Sequence, residues 1–170
     1  MPVLRPTTRA DIPAVDALLA EAYPRLLAAD YPPSVLVTAL PRISRAQPGL
    51  VTSGTYWLAE EDGVLLAAGG WTAQAPAGGV TPGRGHIRHV VSNPARLREG
   101  HARAVLEAAM GQARVAGITA FDCISTRTAV PFYRALGFRV AKEIDVTLAP
   151  GITFPAVQMT RGLAQTRRAG

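Results

Sequence analysis

The chain has 170 residues, 48% hydrophobic and 18% charged, which excludes a largely disordered polymer and is enough to bury a real core. No apolar run reaches the ~18 residues of a membrane span, and no basic region followed by an apolar signal core opens the chain. A soluble, cytoplasmic protein is expected. The net charge of +6 rests almost wholly on arginine, with Lys142 the only lysine; this excludes a phosphate loop built on a Gly-Lys pair and suits an acidic ligand.

Residues 2–6 read as a short strand. Thr8 or Asp11 is placed to cap a helix with Ile12, Val15, Leu18, Leu19 and Ala22 on its apolar face, ending before Pro24. A second helix is expected over residues 34–46, with Val35, Leu36, Leu40 and Ile43 inward and Pro41 bending or shortening it. Residues 56–60 and 64–72 read as a hairpin joined across the Asp62-Gly63 turn signal. Residues 73–85, rich in Gly, Pro and Ala, read as a loop.

Residues 86–110 organise the rest of the chain. Residues 86–92 have the β-branched, apolar character of a half-buried strand, and Asn93-Pro94 stops it. A helical period follows: Ala102, Val105, Leu106, Ala109, Met110 and Ala113 recur on one face. The turn between the two holds Arg96, Arg98, Glu99, Gly100, His101 and Arg103. A helix N-terminus already carries unpaired N–H groups and the positive end of the helix dipole. A glycine there lets an anion approach the backbone and arginines add charge, which is how a phosphate or pyrophosphate is commonly held. Both features are also common at helix starts without a ligand.

Further along, residues 118–124 form a strand and residues 129–136 a helix, with Thr128 as cap, Pro131 in the first turn and Gly137 as terminator. Cys123, the only cysteine, excludes an internal disulfide and a multi-cysteine metal site; it reads as a small core residue, and no metal is expected. Residues 138–148 and 152–161 suggest two more strands around Pro150-Gly151. The organisation expected is one α/β domain over residues 1–163, a mixed sheet with about four helices, and a polar basic tail over residues 164–170.

Two segments together carry a resemblance. Leu97-Arg98-Glu99-Gly100-His101-Ala102 stands where the GNAT superfamily of acyl-CoA-dependent N-acyltransferases has Gln/Arg-x-x-Gly-x-Gly/Ala between a strand and a helix. Phe132-Tyr133 and Gly137-Phe138 match the aromatic-Tyr pair and Gly-Phe of the family's next helix. The chain resembles that superfamily over residues 87–138, with flanks similar in element order. Leu97 departs from the usual Gln or Arg, and Thr126 stands where an asparagine is common.

The resemblance implies a largely antiparallel mixed sheet and an N-acetyltransferase that moves an acyl group from acetyl-CoA to a primary amine by direct attack. It implies that the backbone of Arg98, Glu99, Gly100, His101, Ala102 and Arg103 holds the CoA pyrophosphate. N–H groups near Val90, Val91 and Ser92 would polarise the thioester oxygen, Thr126 would contact CoA, and Tyr133 would act as general acid beside the sulfur. His86, on the central strand, is the base expected, since a histidine of pKa ~6.5 suits proton removal at neutral pH. His89 has the opposite strand parity and would face away if the strand is regular. The partner is a small-molecule or protein amine, with a homodimer left open. Two other classes compete: a non-catalytic acyl-CoA-binding regulatory module, and a nucleic-acid-binding domain, against which the basic residues are scattered and not interleaved with aromatics.

Overall fold

The hairpin expected around Asp62-Gly63 forms, and it is part of one seven-stranded sheet. The computed structural model describes residues 1–162, so the tail expected at 164–170 lies outside the described residues. The strands are β1 (Val3–Pro6), β2 (Tyr56–Glu61), β3 (Val64–Thr72), β4 (Arg84–Ser92), β5 (Ala120–Ser125), β6 (Arg139–Ala149) and β7 (Ile152–Gly162). Their order is β1-β2-β3-β4-β5-β7-β6, and every neighbouring pair is antiparallel except β4 and β5. The helices are α1 (Ile12–Leu27), α2 (Pro33–Ile43), α3 (Pro48–Val51), α4 (His101–Val115) and α5 (Val130–Ala135). The fold is thus the α/β, largely antiparallel class expected, with a single helical turn, α3, in addition.

α4 and α5 cover one face of the sheet. All six residues of the predicted α4 face are buried, and Leu106 and Met110 pack with Phe121, Cys123, Tyr133, Phe138 and Met159. α1 and α3 cover the other face through Val15, Leu19, Leu50, Tyr56, Leu58 and Ala68. α2 extends that layer over β7, where Leu36 and Ala39 meet Phe154 and Ala156.

One proline expectation is corrected and the other, that Pro41 shortens the second helix, holds. α1 does not end before Pro24; it continues to Leu27. A proline in a helix interior costs about 3 kcal/mol. Here the extra turn seats Leu27 beneath α2, fully buried against Tyr31 and Leu36, and a buried leucine contributes roughly 1.5–3 kcal/mol in offset. α2 closes at Ile43, short of residue 46, where the Ser44 N–H meets the Leu40 carbonyl.

The sheet opens between β4 and β5. Their parallel ladder pairs Arg84–Ile87 with Ala120–Cys123 and stops there, although β4 runs on to Ser92 and β5 to Ser125. On the β3 side the register shifts between Ala68 and Gly70, so His89 and Val90 together face Gly69. This is a β-bulge, with His89 at φ +53°. A Cβ on Gly69 would lie 2.9 Å from Val90 Cγ2, so the bulge needs glycine opposite it. A bulged strand bends, and β4 leaves β5 at the point where it does so.

Candidate active site

Two cavities occupy the gap between the parted strands. The larger, about 550 Å³, lies between the end of β4, the start of α4 and α5. The smaller, about 270 Å³, lies between β4 and β5 on one side and α2, β6 and β7 on the other. Tyr23, Val90, Thr126, Ala129 and Tyr133 line both, so the cavities adjoin at these five residues.

The larger cavity is built on the α4 N-terminus. Gly100 is the N-cap at φ +82°, a left-handed conformation, and no side chain caps the first turn of N–H groups. A Cβ at Gly100 would meet nothing within 4 Å, so the backbone conformation rather than crowding selects glycine. Gly100, His101, Ala102 and Arg103 line the cavity, with Arg98 beside them. Arg98 makes no ion pair among the described residues, whereas Arg96 holds Glu99 at 2.7 Å and Arg103 holds Glu107 at 3.0 Å. His101 Nε2 is buried with no hydrogen-bond partner among the described residues and lies 3.6 Å from Glu99 Oε1, too far to bond. Bare N–H groups, an unpaired arginine and an orphaned imidazole nitrogen together suit an anionic, oxygen-rich ligand such as a pyrophosphate.

Of the residues expected to hold a cofactor, Val90, Val91, Ser92, Arg98, Gly100, His101, Ala102, Arg103, Thr126 and Tyr133 line this one cavity. Glu99 does not; its carboxylate is drawn aside by Arg96. The Thr126 hydroxyl accepts the Ala129 N–H at 3.2 Å at the entrance to α5. Thr128 is not the cap expected: its hydroxyl donates to Asp30 Oδ2 at 2.7 Å, and among the described residues no side chain caps α5.

Tyr133 lies between the cavities, buried, with Phe132 and Phe138 edge-on at ring distances of 5.1 Å and 5.4 Å. Among the described residues no hydrogen bond holds its hydroxyl, and burial keeps the phenol protonated well above its usual range near 10. Cys123 in the same core is likewise pushed up, to about 12, by burial, which makes it a packing residue.

His86 lines neither cavity. It sits in the still-paired part of β4, opposite Thr72 on β3 and Asp122 on β5. His89, set aside by regular strand parity, lines the smaller cavity because the bulge inserts one residue. Its Nε2 lies 2.9 Å from the Ile43 carbonyl oxygen, and its ring meets Tyr23 edge-on at 6.0 Å. Burial, reinforced by the nearby Arg88 charge and opposed by that carbonyl bond, holds its pKa below the ordinary value.

The profile of the acetyltransferase (GNAT) family matches residues 18–138, more than half of the chain, from the middle of α1 to just past α5. The protein belongs to the GNAT acetyltransferase family. Its fold is similar to that of a GCN5-related N-acetyltransferase from Rhodopseudomonas palustris, with a TM-score of 0.77 at 17% identity over 96% of each chain. It is also similar to the PaiA N-acetyltransferase of Thermoplasma acidophilum, solved with coenzyme A: TM-score 0.70, 12% identity, 95% of this chain and 99% of that one. The Escherichia coli ribosomal-protein-S18-alanine N-acetyltransferase gives a TM-score of 0.63 at 16% identity over 100% and 99%. No curated protein matches the sequence. In this GNAT chain no helix among the described residues is long and apolar enough to cross a membrane.

Tyr23 and His89 are the site residues that sequence reasoning missed. Tyr23 donates its hydroxyl to the Val90 carbonyl at 3.2 Å, from a helix turn taken to be near its end. The signal for His89 was the Gly69-Gly70 pair in the facing strand, since glycine inside a strand marks a bulge or a close backbone approach.

Proposed function

We propose that this GNAT protein transfers the acetyl group of acetyl-CoA directly to a primary amine. The observation that carries the reading is the meeting of the two cavities at Tyr133 and Val90, where the sheet opens. The pyrophosphate binds at the first turn of α4 beside Arg98 and His101, and the pantetheine arm runs along Val90, Val91 and Ser92, whose β5-side edge has no strand partner. The amine enters from the smaller cavity and meets the thioester where the cavities join.

An alkyl ammonium of pKa ~10 is only about one part in a thousand neutral at pH 7, a cost of roughly 4 kcal/mol. His89 takes that proton, directly or through one water, in preference to His86, which reaches neither cavity. The amine nitrogen forms its bond to the carbonyl carbon, the carbon–sulfur bond breaks, and the Tyr133 hydroxyl donates toward the departing sulfur. A phenol gives up its proton to a thiolate of ordinary pKa ~8.5 only uphill. Burial raises the phenol further, so the hydroxyl assists by hydrogen bonding to the departing sulfur rather than by surrendering its proton. Backbone N–H groups at the free edge of β4 stabilise charge on the carbonyl oxygen.

The test is a panel of primary amines incubated with protein and acetyl-CoA, following free thiol and acetylated product together. Stoichiometric appearance of both is expected with at least one amine. Tight acetyl-CoA binding with no thiol released by any amine would leave a non-catalytic acyl-CoA-binding module.

A further inference from the structure

The smaller cavity has a charge pattern that says what kind of amine enters it. Its walls are Ile43, Ile87, Ile124, Val146, Leu148 and Phe154, an apolar lining for the body of a ligand. Its polar groups include Arg42, Gln47 and His89, and among the described residues no aspartate or glutamate lines it. A site that recognises a polyamine or a second ammonium group needs a carboxylate to pair with that charge. This cavity offers the opposite sign.

Arg42, in the last turn of α2, makes no ion pair or hydrogen bond among the described residues, and its side chain is exposed at the cavity. Behind Gln47 stands a second arginine. Arg88 is half-buried on β4, donates to Gln47 Oε1 at 3.3 Å and to Thr72 Oγ1 at 3.2 Å, and has no carboxylate partner among the described residues. Its bond to Gln47 Oε1 leaves the Gln47 amide N–H groups as the donors for a ligand. Arg42 and those N–H groups thus present donors only, on a background of positive charge, which is the recognition chemistry of a carboxylate.

We propose that the acceptor is a small amine bearing a carboxylate and an apolar body, of the type of an apolar amino acid, with the carboxylate held by Arg42 and Gln47. The inference rests on the acetyl-transfer reading above. A volume of about 270 Å³ suits one such molecule. The apolar wall takes the side chain, Arg42 and Gln47 fix the carboxylate end, and the amine is left to point toward Tyr133 and His89. Arg88 acts as a positioning residue, since it orients Gln47 and adds to the field.

The test compares leucine and phenylalanine with their amides, the corresponding carboxylate-free amines, and spermidine, reading acetyl-CoA-dependent thiol release. Wild-type protein is expected to favour the free amino acids over their amides at least tenfold in kcat/KM. In Arg42→Gln that ratio is expected to collapse toward one, through a rise in KM for the carboxylates, and in Arg42→Lys to recover in part. Taking the ratio between variants cancels the different basicity of the amines. Equal or better use of amides, bare amines or spermidine by wild type, or an unaltered ratio in Arg42→Gln, would overturn the acceptor assignment and leave acetyl transfer standing. Thiol release by no amine, with acetyl-CoA bound, would overturn transfer and this inference together.

Discussion

His89 Nε2 and the Ile43 carbonyl oxygen lie 2.9 Å apart, joining the bulge of β4 to the end of α2. A carbonyl oxygen only accepts, so this bond assigns the imidazole proton to Nε2 and leaves the Nδ1 lone pair free. Burial keeps the ring neutral at pH 7 by lowering its pKa. His89→Gln is therefore expected to lower acetyl transfer by roughly ten- to a thousandfold near neutral pH, with partial recovery at alkaline pH where neutral amine is abundant. His86→Ala, in the paired part of the strand, is expected to change the rate less than about threefold by the same reasoning. A pH–rate profile of both variants separates the two histidines.

The same histidines set a direction for stability. Both His86 and His89 have pKa values lowered chiefly by burial, so the unfolded chain takes up protons before the native one as pH falls. Stability is complete above the ordinary histidine value near ~6.5 and declines as pH drops through the window beneath it. Urea unfolding at a series of pH values should show that slope, and His89→Asn should flatten it.

Gly69 and Gly70 bear the geometry of the bulge differently. A Cβ on Gly70 would lie 2.6 Å from Tyr56 Cα, a backbone atom, whereas at Gly69 the nearest atom is Val90 Cγ2, a side-chain atom, at 2.9 Å, with Leu106 Cδ1 and Val90 Cα at 3.4 Å. Gly70→Ala is expected to destabilise the fold by roughly 1–3 kcal/mol, as overpacking does, and Gly69→Ala by less. Gly49→Ala, in a helical turn with nothing within 4 Å, serves as the uncrowded reference in denaturant titrations and is expected to be slightly stabilising.

Gly100 tests the anion site. Gly100→Glu places a carboxylate at a helix N-terminus beside the cavity and gives a left-handed φ to a residue that resists it, at a cost of about 1 kcal/mol. CoA affinity is expected to fall at least tenfold. Gly100→Asn tolerates the same φ without adding charge and should fall much less. Calorimetry on both folded variants, showing equal losses, would assign the effect to strain rather than charge.

The α4 end of the cleft was readable because it depends on local rules. The period of α4, the Asn93-Pro94 stop and the Gly100 turn all act within a few residues, and each stands where the sequence puts it. The smaller cavity depends on contacts between distant elements. His89 turns inward only because Gly69, twenty residues earlier, lets two β4 residues face one. Tyr23 on α1 reaches the Val90 carbonyl on β4, a pairing 67 residues apart in the chain. No periodicity along the chain encodes such pairings.

Tyr133→Phe bears most directly on the reading of this cleft as a transferase site. The change removes one oxygen from a buried ring whose packing against Phe132 and Phe138 is retained, and acetyl-CoA affinity should stay within about threefold. A hydroxyl that assists the departing sulfur acts mainly in the transition state. In single-turnover acetyl transfer the rate constant is expected to fall by roughly ten- to a thousandfold while binding persists. A folded, acetyl-CoA-binding Tyr133→Phe variant that transfers at the wild-type rate would contradict the account and leave Tyr133 as a packing residue.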